Sequence, residues 1–256
     1  WTGMEMFLDK QVSKDSPQMK IVYRNFRQNL IDIFQVAEKN NIPLICSTVG
    51  SNLKDNPPFA SKHSLGLKDS EKQQWDELYN EGISFENKGD YSSAAEIYLK
   101  AAQIDPNYAE LQYRIGHCYW QIGKYEESKE RYVKAREQDT LRFRADNQIN
   151  AIIRDAADNK SDKGIYLVDA CKVFEANSPH DTPGKELFHE HVHLKFKGNY
   201  LLAKTVFDQV DKILPERIKQ NKPAENEVEN IKEKSFPSEQ EVAKYFSASD
   251  HAWYFG

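Results

Sequence analysis

The sequence predicts an α/β fold, a parallel sheet interrupted by an inserted all-α segment. Short apolar runs at residues 42–49 and 164–169 are typical of strands buried on both faces. Each run follows an amphipathic helical pattern, which is the order expected of a parallel α/β sheet. Between the two runs the sequence repeats with a period of 34 residues, and this period predicts paired helices.

Composition is that of an ordinary globular chain. The 256 residues are 39% hydrophobic and 29% charged, which is enough for one large domain or two ordinary ones. No apolar run approaches the roughly 20 residues that a membrane span needs, so we predict no spanning segment. With a net charge of −5 and no basic stripe, nucleic acid is not expected as a partner.

The cysteines and the chain ends carry two further expectations. Cys46, Cys118 and Cys171 are far apart, odd in number and set among apolar residues, so they are interpreted as free buried thiols. The chain begins at Trp1 without a signal peptide and stops just after an apparent helix. We therefore expect an internal fragment of a longer protein.

Helical periodicity places the remaining elements outside the repeats. Residues 20–39 form an amphipathic pattern that Asn40 and Asn41 end, and residues 145–157 form a second one. A third helix follows Asn199 and ends before Pro215. Residues 217–236 are polar and are expected to form an exposed linker, and residues 239–246 are expected to form a last helix before Trp253 and Tyr254.

The internal repeat resembles the tetratricopeptide repeat, with one copy at residues 75–107 and a second at 109–142. The matched positions are Gly82 and Gly116, Gly89 and Gly123, Tyr98 and Tyr132, Ala101 and Ala135, and Asp105 and Asp139. The small residues among them, the glycines at 82 and 116 and the alanines at 101 and 135, let two helices approach closely, and the aromatic residues fill the groove. The pattern departs from the family at Glu81, where leucine is usual, and at Thr140, where proline is usual. Because two repeats bury little core alone, we expect them to pack on the α/β part.

A histidine cluster admits two interpretations. His189-Glu190-x-x-His193 has the spacing of a zinc protease helix, which needs both histidines on one helical face. The flanking Pro183-Gly184 and Gly198 argue against a helix there. A different metal site using His189, His191 and His193 on an extended segment stays open as an alternative. Our prediction is that the chain binds no metal and no cofactor.

The other interpretation rests on a family resemblance. Glu190-x-x-His193, followed by Gly198 and a helix with Ala203 near its start, resembles the last block of SGNH (GDSL-type) hydrolases. The stretches 52–61 and 183–188 resemble bacterial members of this family with inserted tetratricopeptide repeats. The resemblance implies a flavodoxin-like three-layer parallel sheet and an ester-linked acyl substrate. It also implies that His193 is a general base and Glu190 orients it.

The serine block of that family and its oxyanion-hole glycine and asparagine blocks are not found in these residues. Ser47, Ser51, Ser61 and Ser64 are interpreted as strand-end and loop serines. We therefore expect the C-terminal part of a bacterial serine esterase, inactive or nearly so without an upstream serine. The alternative is a non-catalytic repeat module that binds a protein partner, on a degenerate α/β scaffold.

The expected organisation has four parts. Residues 1–65 and 143–216 form the two α/β segments, and the second carries Glu190 and His193. Residues 66–142 hold the two repeats, which recruit a partner or substrate. Residues 217–256 form the linker and the C-terminal helix.

Overall fold

The computed structural model describes residues 3–220, and they are mostly helical. Short 3-10 helices lie at Gly3–Lys10, Ser161–Lys163 and Pro179–Asp181. The α-helices are α1 (Pro17–Lys39), α2 (Asp69–Asn87), α3 (Tyr91–Ile104), α4 (Ala109–Gln121), α5 (Tyr125–Gln138), α6 (Asn147–Ala157), α7 (Ala170–Ala176), α8 (Phe196–Ile213) and α9 (Glu216–Lys219). The strands are β1 (Leu44–Ser47) and β2 (Ile165–Val168). The predicted linker from residue 221 onward, the helix at 239–246, Trp253 and Tyr254 lie outside the described residues.

The predicted fold class is wrong. Both predicted strands are present, but they form a two-stranded parallel sheet in register from Leu44 opposite Ile165 to Ser47 opposite Val168. Within residues 3–220 no further strand joins this sheet, so it cannot be the central layer of a three-layer fold. The backbone N–H groups of Leu44 and Thr48 donate to the carbonyls of Gly164 and Val168. Because backbone groups alternate in direction along a strand, those of Ile45 and Ser47 point to the opposite edge of β1.

Helix α1 forms where its apolar spacing predicts and packs beside the sheet. The Ser16 hydroxyl caps its first turn by accepting the Met19 N–H at 3.4 Å, and Pro17 occupies the first helical position, where no N–H is needed. The helix ends before Asn41, whose backbone is left-handed. The buried side chains that join α1 to α6 and the sheet are Phe34, Ala37, Ala156, Ala157 and Ile165.

The repeats form two helix pairs, α2 with α3 and α4 with α5, as their period predicts. Each pair crosses at a glycine. A Cβ at Gly82 would lie 2.3 Å from the Tyr98 ring, and one at Gly116 would lie 3.0 Å from the Tyr132 ring. The approach at Gly82 is closer than a Cβ allows, and at Gly116 a Cβ would fit only if the tyrosine ring shifted, which explains why small residues stand at the crossings.

The departure at Glu81 has a structural reason. Glu81 is exposed on α2, whereas Ile115, one period later on α4, is fully buried. The outer face of α2 is polar throughout, with Gln73, Gln74, Glu77, Asn80 and Ser84 exposed on it. A charged residue is tolerated at position 81 because this helix is the outer one of the array.

An extended segment, residues 54–64, lies along the ends of the repeat helices. Two equivalent aspartates hold its backbone. Asp139 accepts the N–H groups of Phe59 at 3.0 Å and Ala60 at 3.2 Å, and Asp105 accepts the N–H of Ser64 at 3.1 Å. The Thr140 N–H donates to the Ala60 carbonyl at 3.1 Å. Proline, the usual residue at position 140, could not make this bond.

The chain after β2 packs around a small cluster of buried side chains, Ala170, Phe174, Leu187 and Phe188. It belongs to a unit that spans Trp1–Val206, and a second unit spans Phe207–Gly256. Cys118 is buried and free as predicted, whereas the free thiols of Cys46 and Cys171 are only half-buried. None of the helices between residues 3 and 220 combines the length and the apolar content that crossing a membrane requires.

Candidate functional site

A tight loop brings the predicted pair Glu190 and His193 into contact. Phe188 and Leu194 form an antiparallel bridge, and the His189 N–H donates to the His193 carbonyl at 2.8 Å. Within this turn the Glu190 carboxylate accepts the backbone N–H of His191 at 2.6 Å and that of His193 at 2.8 Å. It also contacts the ring Nδ1 of both histidines. The carboxylate can therefore orient either imidazole.

The two histidines differ in their surroundings. The His193 side chain is exposed, whereas the His191 ring packs edge-on against Phe59, with ring centroids 4.9 Å apart. Burial lowers the pKa of His191, and the neighbouring His193 and Arg144 lower it further. Of the two rings, that of His193 is the more exposed to solvent.

The zinc protease interpretation is wrong in its geometry. Residues 189–195 form a bent loop that includes the bridge residue Leu194 and no helix, and α8 begins only at Phe196. Among residues 3–220 no group of three or more His, Cys, Asp or Glu side chains is placed to hold a metal ion. His189, His191 and His193 are thus neighbours on one loop without forming such a group.

Three of the four serines considered in the sequence use their hydroxyl groups in structural hydrogen bonds. Ser47 donates to the Thr48 carbonyl, and Ser64 donates to Asp105 at 2.7 Å. The Ser61 hydroxyl accepts the Glu110 N–H at 2.9 Å, at the start of α4. Ser51 is buried. Its hydroxyl has no hydrogen-bond partner in the part of the chain that the structure describes.

A second cluster, which the sequence did not reveal, lies where α2 meets α4. We call it the α2/α4 face, and it consists of Tyr79, Ile83, Glu86, Glu110, Arg114 and His117. Glu86 accepts hydrogen bonds from Arg114 at 2.9 Å and Tyr98 at 2.7 Å, and His117 Nδ1 lies 3.0 Å from it. Arg114 also donates to Glu110 and to the Tyr79 hydroxyl at 2.9 Å. These residues are half-buried, so the face is open to solvent.

Glu86 is a strongly held carboxylate in this cluster. Burial alone would raise its pKa, but hydrogen bonds from His117, Tyr98 and Arg114 more than offset burial and lower the pKa to about 2. The spacing of Glu110 and Arg114, four residues apart on a helix, was the local signal for this cluster. The contacts from α2 to α4 could not be seen from local spacing.

The corresponding face of the second repeat carries a lysine of the chain itself. Tyr113, one period after Tyr79, donates its hydroxyl to the Lys54 carbonyl at 2.8 Å. The Lys54 ammonium lies 4.8 Å from the centre of the Trp120 ring, with Asp55 at 3.3 Å and Glu186 at 3.5 Å. A basic side chain thus fits between an aromatic ring and carboxylates on this kind of repeat surface.

Residues 88–146 match the tetratricopeptide repeat family. The match begins within the first predicted repeat and covers the second, so the prediction of tetratricopeptide repeats is confirmed. It covers less than a quarter of the chain. No curated protein matches the chain significantly. These comparisons do not support the resemblance to SGNH hydrolases, nor an acyl-ester substrate.

Proposed function

We propose that the chain is a protein-interaction module whose tetratricopeptide repeats, within residues 66–142, bind a partner through the α2/α4 face. The match of residues 88–146 to the repeat family carries the proposal, because such repeats serve as binding scaffolds. Tyr79, Ile83 and His117 offer half-buried surface for contact. The segments that flank the repeats, within residues 3–65 and 143–206, act as the support on which the repeats are mounted.

The charge of this face indicates a basic partner segment. The α2/α4 face carries two carboxylates, Glu86 and Glu110, against the single guanidinium group of Arg114. Lys54 shows the chemistry in the second repeat, where an ammonium group lies over Trp120 beside two carboxylates. We therefore propose an extended peptide with a lysine or arginine as the ligand of the first repeat.

The test is selection from a displayed random-peptide library. Enriched peptides are synthesised, and their dissociation constants are measured by fluorescence anisotropy. We expect the enriched peptides to contain lysine or arginine. They should bind the Glu110→Ala/His117→Ala variant at least about tenfold more weakly than the parent protein, a loss of about 1.4 kcal/mol in binding free energy. The matched control is Glu96→Ala/Lys100→Ala, two exposed positions on α3. Failure to enrich any peptide, or equal binding to both variants, would contradict the proposal.

A second candidate, ester hydrolysis, is favoured by one observation: the Glu190 carboxylate contacts the ring Nδ1 of the exposed His193. In this candidate Glu190 orients His193, and His193 accepts a proton from a serine hydroxyl. The serine and the oxyanion donors would have to come from polypeptide outside these 256 residues. The 256 residues alone are then expected to have almost no activity.

Hydrolysis of p-nitrophenyl acetate by the natural polypeptide that contains these residues tests the second candidate. His193→Ala should reduce turnover at least about 100-fold, as for loss of a general base, and Glu190→Gln should reduce it less. His189→Ala, on the same loop, is the matched control and should leave turnover unchanged. Full activity of His193→Ala, or no turnover above buffer in the natural polypeptide, would reject this candidate.

A further inference from the structure

A cavity of about 430 Å³ lies beside the repeats, away from the α2/α4 face. Three separate parts of the chain line it: the residues just before α1, the extended segment around Lys62 and Ser64, and the repeat ends around Asn107 and Gln138. Its size is within the range of small-ligand pockets. It shares no residue with the α2/α4 face or with the Glu190 loop.

Basic side chains outnumber acidic ones around this cavity. Its described lining residues include Lys14, Lys62 and His63 and a single acid, Asp15. Asp105 lies fully buried beneath the wall; burial would raise its pKa, but hydrogen bonds from Ser64 and His63 more than offset burial and lower it, so Asp105 is a second negative charge here. Two basic residues of α5 add to the positive potential nearby. Burial lowers the pKa of Lys134, and the charges of Arg131 and Lys14 lower it further.

The polar groups of the wall are fixed in place before any ligand binds. Gln138 donates to the Asn107 side-chain oxygen at 3.3 Å, Asn107 donates to the Ser64 hydroxyl at 3.1 Å, and Ser64 donates to Asp105. His63 Nδ1 lies 2.9 Å from Asp105, which fixes its ring. A preorganised wall loses little side-chain entropy when an anion binds.

We propose that this cavity binds the phosphate group of a small phosphomonoester. Lys14 and Lys62 supply two ammonium groups for a dianion, and the Ser16 hydroxyl and the second N–H of the Asn107 and Gln138 side-chain amides supply neutral donors for its remaining oxygens. A carboxylate ligand has half the charge of a phosphomonoester dianion and fewer oxygens, so phosphate is the better match to these groups. The volume of the cavity leaves room for the organic part of the ester, beside the exposed Leu65.

The experiment is a titration of the isotope-labelled protein at low ionic strength, followed by amide chemical shifts. The probes are inorganic phosphate, glycerol 2-phosphate and, for comparison, acetate. We expect both phosphates to shift the amides of Lys14, Lys62 and Asn107, with dissociation constants on the order of 1 mM or below. Added salt should weaken the binding.

Lys14→Gln/Lys62→Gln should weaken phosphate binding at least tenfold. The matched control is Lys39→Gln/Lys100→Gln, which removes two exposed lysines outside the cavity and should leave the titration unchanged. The proposal is overturned if neither phosphate shifts these amides, if acetate binds as tightly as phosphate, or if the two double variants bind phosphate equally. None of these outcomes depends on whether the α2/α4 face binds a peptide.

Discussion

Replacing Asp139 with alanine is expected to destabilise the protein by about 3–5 kcal/mol, the usual cost of breaking a buried ion pair from one side. Asp139 lies 3.1 Å from the Arg144 guanidinium, and both side chains are almost completely buried. Arg144 also donates to the carbonyls of Asn52 and Asn56. Without Asp139 its charge would remain buried and uncompensated.

The same substitution would release the extended segment, because Asp139 also accepts the N–H groups of Phe59 and Ala60. The matched variant is Asp105→Ala, one period earlier. Asp105 binds Ser64 and His63 but no guanidinium, so a smaller loss of about 2 kcal/mol is expected. Urea unfolding followed by circular dichroism measures both variants. An equal loss of unfolding free energy in the two variants would show that the buried ion pair with Arg144 adds no stability beyond the hydrogen bonds.

Acid is expected to weaken the repeats as the pH falls from about 4.5 towards 2. The pKa of Glu86 is about 2 in the folded protein and 4.5 ordinarily. Because the folded pKa is the lower one, the stabilisation by the charged carboxylate is fully present above pH 4.5. It is lost as Glu86 takes up a proton. After allowance for solvent screening, the loss is about 2–3 kcal/mol.

Glu86→Gln should lower the free energy of unfolding at pH 7 by about 2 kcal/mol and flatten its dependence on pH in this window. The control is Glu96→Gln, an exposed position on α3. Urea midpoints measured at several pH values between 3 and 7 compare the two. If Glu86→Gln keeps the pH dependence of the parent protein, the Glu86 cluster is not its source.

Local features of this molecule could be predicted from the sequence. Helix α1 and the two repeat pairs formed where their spacing predicts, because helix formation depends on neighbours three and four residues apart. The contact between Glu190 and His193 follows from a turn of only a few residues. In each case the decisive interaction lies within one element or one period.

Features that join distant segments could not be predicted in this way. The strands at Leu44 and Ile165 were located correctly, but the number of strands that pair with them is a property of the whole chain. The ion pairs of Arg114 with Glu86 and of Arg144 with Asp139 join different elements. The cavity proposed to bind phosphate is formed by three separate segments of the chain. Nothing in the spacing of any one of them indicates the other two.

Glu81 has a consequence for how copies of this protein can associate. Repeat arrays grow by stacking one helix pair on the next, and two copies could in principle stack end to end and continue into an open filament. Such stacking would bury the Glu81 carboxylate and the neighbouring polar side chains of α2 without partners. The charge at this position thus disfavours head-to-tail polymerisation through the end of the array that α2 forms.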